Sequence, residues 1–122
     1  MPKIIKNPSF IPAAGQPPKT IREVVGRVNT KHEEVSVAHM TSPPGWEEPG
    51  QRPEFMEITY VIHGSIVVEV QRGAAVEVKS GQAIIAHPGE WIRYTTPKGA
   101  DYISVCLPAF STETVHREDD EE

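Results

Sequence analysis

Between Gly45 and Gly64 the chain reads GWEEPGQRPEFMEITYVIHG, a turn-rich loop running into an apolar stretch with one carboxylate, Glu57, inside it. A second stretch, Gly81 to Thr96 (GQAIIAHPGEWIRYTT), has the same character. Segments of this kind read as buried strands entered from loops. Twelve prolines and nine glycines in 122 residues interrupt the chain too often for long helices. They suit many short strands joined by turns. A chain of this length makes one domain, with about two thirds of its unfolded surface available for burial.

Hydrophobic periodicity locates the strands. From Val35 the period is two, with Val35, Val37, His39 and Thr41 on one face and Ser36, Ala38 and Met40 on the other. Phe55–Ile62 is the next strand, closed by a tight turn at His63-Gly64. Ser65–Gln71 and Ala75–Lys79 form a hairpin about Arg72-Gly73. Ala83–His87, Trp91–Thr95 and Asp101–Leu107 follow, separated by Pro88-Gly89 and Pro97-Lys98-Gly99. Upstream, five prolines in residues 1–18 predict an extended arm with a short edge strand at Lys3–Ile5. Thr20 and Glu23 have capping-box spacing and predict one short helix over Ile21–Val25. The expected organisation is an arm and helix over residues 1–34, a barrel over 35–110 and an acidic, solvated tail over 111–122. Phe110 and Val115 are available to anchor the start of that tail. The fold class is all-β, with about eight antiparallel strands closed against edge exposure.

Charge and cysteine content narrow the function classes. Glu118, Asp119, Asp120, Glu121 and Glu122 account for the whole net charge of −5, leaving residues 1–117 at zero. The lysines and arginines are scattered and form no basic stripe, so nucleic acid is not an expected partner. The single Cys106, within YISVCL, reads as an inert buried thiol. No run approaches the ~18 apolar residues of a membrane span, and MPKIIKNPSFIP lacks a signal-peptide core. A cytoplasmic protein with no membrane partner is the expectation.

The intervals between particular residues carry a resemblance. Gly45 is followed after five residues by Gln51-x-Pro53, after three more by Glu57 and after six more by Gly64. Gly81 is followed after five by His87-Pro88-Gly89 and after two by Ile92. This spacing resembles the two motifs of the cupin family, over about residues 35–108. The resemblance implies a jelly-roll barrel with its pocket inside, often paired as a homodimer through N-terminal strands. Metal-binding cupins take two histidines and a glutamate from the first motif and a histidine from the second. The corresponding places here hold Gln51, Pro53, Glu57 and Ile92, so no metal and no cofactor is expected. Loss of the histidines with retention of the acid looks like the ethanolamine-utilisation cupins, as does the Pro108-Ala109-Phe110 run.

Read with that resemblance, the chain is expected to be a metal-independent cupin that binds a small polar organic molecule. The reaction class would be proton transfer of isomerase, epimerase or lyase type. Glu57 is the acid or base and His39 or Tyr94 its counterpart. Gln51, Glu54, Phe55 and Trp46 would hold the ligand, Trp46 as an aromatic lid. A purely structural Glu57, paired with Arg93 or a tyrosine, is the competing reading. Because strand side chains alternate, an inward Ile92 brings Tyr94 inward and turns Arg93 out. Two other functions stay open. One is a binding or sensing module without catalysis. The other is a metalloenzyme with a relocated site, using Glu57 with His39, His87 or His116.

Overall fold

A computed structural model gives the fold, and it describes residues 1–118. The described chain is nine strands: β1 (Ser9–Ile11), β2 (Thr20–Val25), β3 (Ser36–Ser42), β4 (Trp46–Glu47), β5 (Met56–Val70), β6 (Val76–Lys79), β7 (Ala83–Ala86), β8 (Ile92–Thr96) and β9 (Ala100–Leu107). All pairings are antiparallel, and the order is β1-β2-β3-β9-β5-β8-β4 with β6 and β7 also on β5. The all-β jelly roll expected from the sequence is what forms. No helix of the described chain is long and apolar enough to cross a membrane.

The 15-residue β5 does the folding-over. Its first half pairs with β7 and β9, and its second half with β6 and β8. The two halves thus belong to opposite walls of the roll. The predicted turn at His63-Gly64 is instead a bend within this one strand. A register shift between Val61 and His63 adds local twist. Gly64 sits at φ 78°, and a Cβ there would lie 2.2 Å from the Gly99 carbonyl oxygen. No other residue tolerates both demands. The Gly45 and Gly81 φ angles, 82° and 84°, show that the motif spacing marks left-handed backbone positions.

The predicted helix over Ile21–Val25 is also corrected: this segment is β2, held between β1 and β3. β-Branched Thr20, Ile21, Val24 and Val25 suit a pleated surface, and sheet pairing outweighs the capping signal. Glu23 does cap a turn, but downstream: its Oε2 accepts from the Val28 and Asn29 amides, each at 3.3 Å. The edge strand expected at Lys3–Ile5 lies instead at Ser9–Ile11.

The main core gathers Trp46, Val61, Ile66, Val68, Val78 and Ile92 between the walls. Each such side chain contributes about 1.5–3 kcal/mol on burial. A smaller cluster of Phe55, Cys106 and Val115, with Phe110 against it, closes one end. It forms because the chain after Ser111 returns alongside residues 50–54. The Glu54 amide donates to the Thr114 carbonyl, Arg52 to His116, and Glu118 to Gly50. The tail is therefore structured as far as Glu118. The remainder of the expected solvated tail, 119–122, lies outside the described residues.

Candidate functional site

Alternation along β2, β3, β5, β8 and β9 turns one set of side chains into the roll. With residues of the adjoining loops they line a cavity of about 70 Å³ whose polar members include Lys19, Glu48, Gln51, Glu57, Tyr94 and Arg117. Its apolar walls include Ile21, Met40, Phe55, Tyr102 and Phe110. At about 10–15 Å³ per water, this space takes about five to seven waters, the bulk of one small organic molecule.

Glu57 is 8% exposed and fully engaged. Tyr94 Oη donates to Oε1 at 2.9 Å, Ser104 Oγ to Oε2 at 2.7 Å, and Cys106 Sγ to Oε2 at 3.7 Å. β5 pairs Glu57 with Cys106 of β9, which fixes that geometry. Burial, and then the neighbouring Glu57 charge, push the Tyr94 hydroxyl and the Cys106 thiol upward from their ordinary pKa values. Both stay protonated and serve Glu57 as donors.

Glu48, which the sequence did not single out, is the other buried carboxylate, at 6% exposure. Its Oε2 has no hydrogen-bond partner among the described residues. Burial pushes its pKa up to about 7, against the opposing pull of Lys19 and Arg117. Arg93 holds its carbonyl from outside the roll. The guanidinium donates to the Glu48 carbonyl at 2.9 Å, to Glu69 at 2.8 Å and to Glu47 at 3.0 Å. The Glu48 side chain lines the cavity. Gln51 Oε1 and Arg117 Nε, both on the same cavity, are likewise buried without a partner among the described residues.

The structure brings together Glu57, Tyr94, Gln51 and Phe55 of the residues singled out by sequence. It does not bring His39 to them. His39 lies on the outer face of β3, with Nε2 2.5 Å from Asp101 Oδ1. Trp46 is no lid: it is fully buried, its Nε1 donating to the Ala14 carbonyl at 3.2 Å, with Lys19 Nζ 4.1 Å from its ring centroid. Glu54 is exposed and 2.5 Å from His116 Nε2. His87 Nδ1 is exposed and pairs with Glu90 at 3.0 Å. No group of three His, Cys, Asp or Glu side chains among the described residues is disposed to hold a metal ion.

Sequence reasoning missed Glu48, Lys19 and Arg117. For Glu48 a signal existed. In the structure burial alternates from Trp46 through Glu48, one residue beyond β4, and a period-two reading started at the apolar Trp46 reaches Glu48. Val115 and Arg117 are likewise two apart, but no longer periodic run framed them.

No family model matches the chain. A curated relative, endoribonuclease YbeY of Myxococcus xanthus, is 41% identical over 102 residues, covering 82% of this chain and 34% of that protein. The chain thus spans about a third of the relative's length. This likeness overturns the expectation of a small-molecule cupin working through Glu57, together with its sensing and relocated-metal alternatives. It also overturns the expectation that nucleic acid is no partner. Scattered cations argue against tracking of a phosphate backbone and do not bear on contacts to unpaired bases. Among solved structures, an RmlC-like cupin from Shewanella frigidimarina superposes with TM-score 0.70 at 18% identity, covering 97% of this chain and 93% of that one. The EutQ protein of Clostridium difficile superposes with TM-score 0.64 at 22% identity, covering 75% and 64%. With the strand order, the glycine-set motif spacing and these superpositions in agreement, the chain has the cupin superfamily fold.

Proposed function

We propose that this chain works in RNA processing, as a cupin-fold module of an endoribonuclease system. The observation that carries the reading is its 41% identity over 102 residues with part of an endoribonuclease. Because the match covers a third of that relative, the chain is read as an RNA-handling part of such a system. Cleavage by the chain alone is one arm of the test. Through residue 117 its acids and bases balance, so phosphate neutralisation contributes little and affinity comes from contacts to unpaired bases. A cytoplasmic site of action goes with this reading.

The test is a labelled single-stranded RNA of mixed sequence incubated with the purified chain and followed by anisotropy and by gel. Binding with a shallow salt slope, with or without cleavage, is expected. Neither binding nor cleavage at low salt, at protein concentrations up to hundreds of micromolar, would overturn the reading.

A homodimer is the second proposal, and the outer face of the β7-β5-β9-β3 wall favours it. Tyr60, Ile85 and Leu107 are 46%, 52% and 37% exposed there, and half-buried Met56, Ile58, Val105 and Val37 lie between or beside them. A contiguous apolar patch of this kind is uncommon on a monomer. Light scattering should report a dimer that Ile85→Glu converts to monomer. A monomeric wild type would contradict the proposal.

A further inference from the structure

Three polar atoms face the cavity without partners among the described residues: two acceptors, Glu48 Oε2 and Gln51 Oε1, and one donor, Arg117 Nε. Glu48 and Gln51 are 6% and 4% exposed. Leaving such groups unpaired costs about 1–3 kcal/mol each, and a guest of matching pattern recovers that cost. The guest must present two donors and one acceptor, and be one small heterocycle of one or two fused rings in bulk. It must also be flat enough to lie among Phe55, Phe110, Tyr102 and Met40.

From that pattern we infer that the cavity is a recognition pocket for a single unpaired guanine base of RNA, read by Glu48, Gln51 and Arg117. The inference rests on the RNA-processing reading and names what part of the RNA the chain reads. Guanine presents a ring N–H and an amino group side by side, next to a carbonyl. The two donors meet Glu48 and Gln51, and the carbonyl accepts from Arg117. Uracil has one N–H between two carbonyls. Adenine and cytosine place an amino group beside a bare ring nitrogen. Each of these leaves at least one of the three pocket atoms, as they stand in the structure, without its complement, a mismatch costly in a dry site. An extruded base read on its Watson–Crick edge between aromatic and apolar side chains is an established mode of nucleic-acid recognition. Glu57 takes no part in the reading, since its oxygens already accept from Tyr94, Ser104 and Cys106.

The test uses two labelled hexaribonucleotides, oligoadenylate and the same strand with one central guanine, together with free guanosine followed by NMR. The guanine strand should bind at least tenfold tighter than oligoadenylate, and guanosine should perturb the Gln51 side-chain amide. Glu48→Gln and Gln51→Leu, each checked for a wild-type cooperative melt, should reduce the guanine preference to under twofold. Equal binding of the two strands would overturn the pocket while leaving the RNA reading standing. A guanine preference that survives both substitutions would place recognition elsewhere and also overturn it. Water alone in the cavity, with no response to guanosine, would do the same. Failure of every RNA to bind would remove the pocket and the RNA reading together.

Discussion

Glu57 and Glu48 face one cavity, and both are almost wholly buried. Three donors converge on the first, whereas one oxygen of the second meets none among the described residues. Glu57 stands in the middle of a long strand, where cross-strand register delivers Ser104 and Cys106 to it from β9. Glu48 stands one residue past a two-residue strand, with its carbonyl held by Arg93. The contrast separates two uses of a buried acid. A carboxylate saturated with donors organises the interior around itself. A carboxylate left without them is costly in isolation and able to answer a guest.

That contrast can be broken at several points. The largest effect is expected from Glu57→Leu, which strands the Tyr94 and Ser104 hydroxyls in the interior. A loss of about 4 kcal/mol in urea unfolding is expected. A loss under about 1 kcal/mol would show that the three donors are easily satisfied elsewhere.

Glu48 should behave in the opposite sense. Its folded pKa, about 7, lies above the ordinary value of 4.5, so the folded state holds a proton that the unfolded chain has released. The stability this confers is fully present below pH 4.5. It is lost as pH rises towards 7, by about 3 kcal/mol over that window. Glu48→Gln should flatten this part of the stability–pH curve and make the protein more stable than wild type at pH 8. An unchanged slope would mean that Glu48 titrates as an ordinary surface acid.

A smaller effect is expected from Tyr94→Phe, which removes one of the three donors to Glu57. Chemical denaturation should show a loss of about 1.5 kcal/mol. The smallest is expected from Lys19→Met. Lys19 opposes the upward shift of Glu48, so its removal should move the Glu48 midpoint further up, with little change in stability at pH 5. A downward movement would show that Lys19 acts on Glu48 by packing.

These two acids also show what a sequence makes legible. Gly45, Gly64 and Gly81 take left-handed backbone at set intervals, and the resemblance carried by those intervals implied the jelly roll before any contact was known. Glu57 was visible because a charge inside an apolar period-two run must be answered by the fold. The helix over Ile21–Val25 was misread because capping chemistry is local and strand pairing is not. Thr20 and Glu23 have the right spacing, but β1 and β3 decide the segment. Glu48 and Arg117 escaped notice for a related reason. Each is placed by a partner far along the chain: Arg93 holds the Glu48 carbonyl, and the pairing of Gln51 with Arg117 draws the C-terminal segment over the cavity. The spacing that revealed the fold carried no information about the work done in the cavity, and the expectation of small-molecule chemistry at Glu57 failed there.

The most direct measurement is the titration of the Glu48 carboxyl carbon by NMR, assigned by its loss in Glu48→Gln. A midpoint near pH 7 is predicted, moving downward when guanosine is added, because the ionised carboxylate is the form that accepts the base. A midpoint near pH 4.5 that guanosine leaves unmoved would contradict the account.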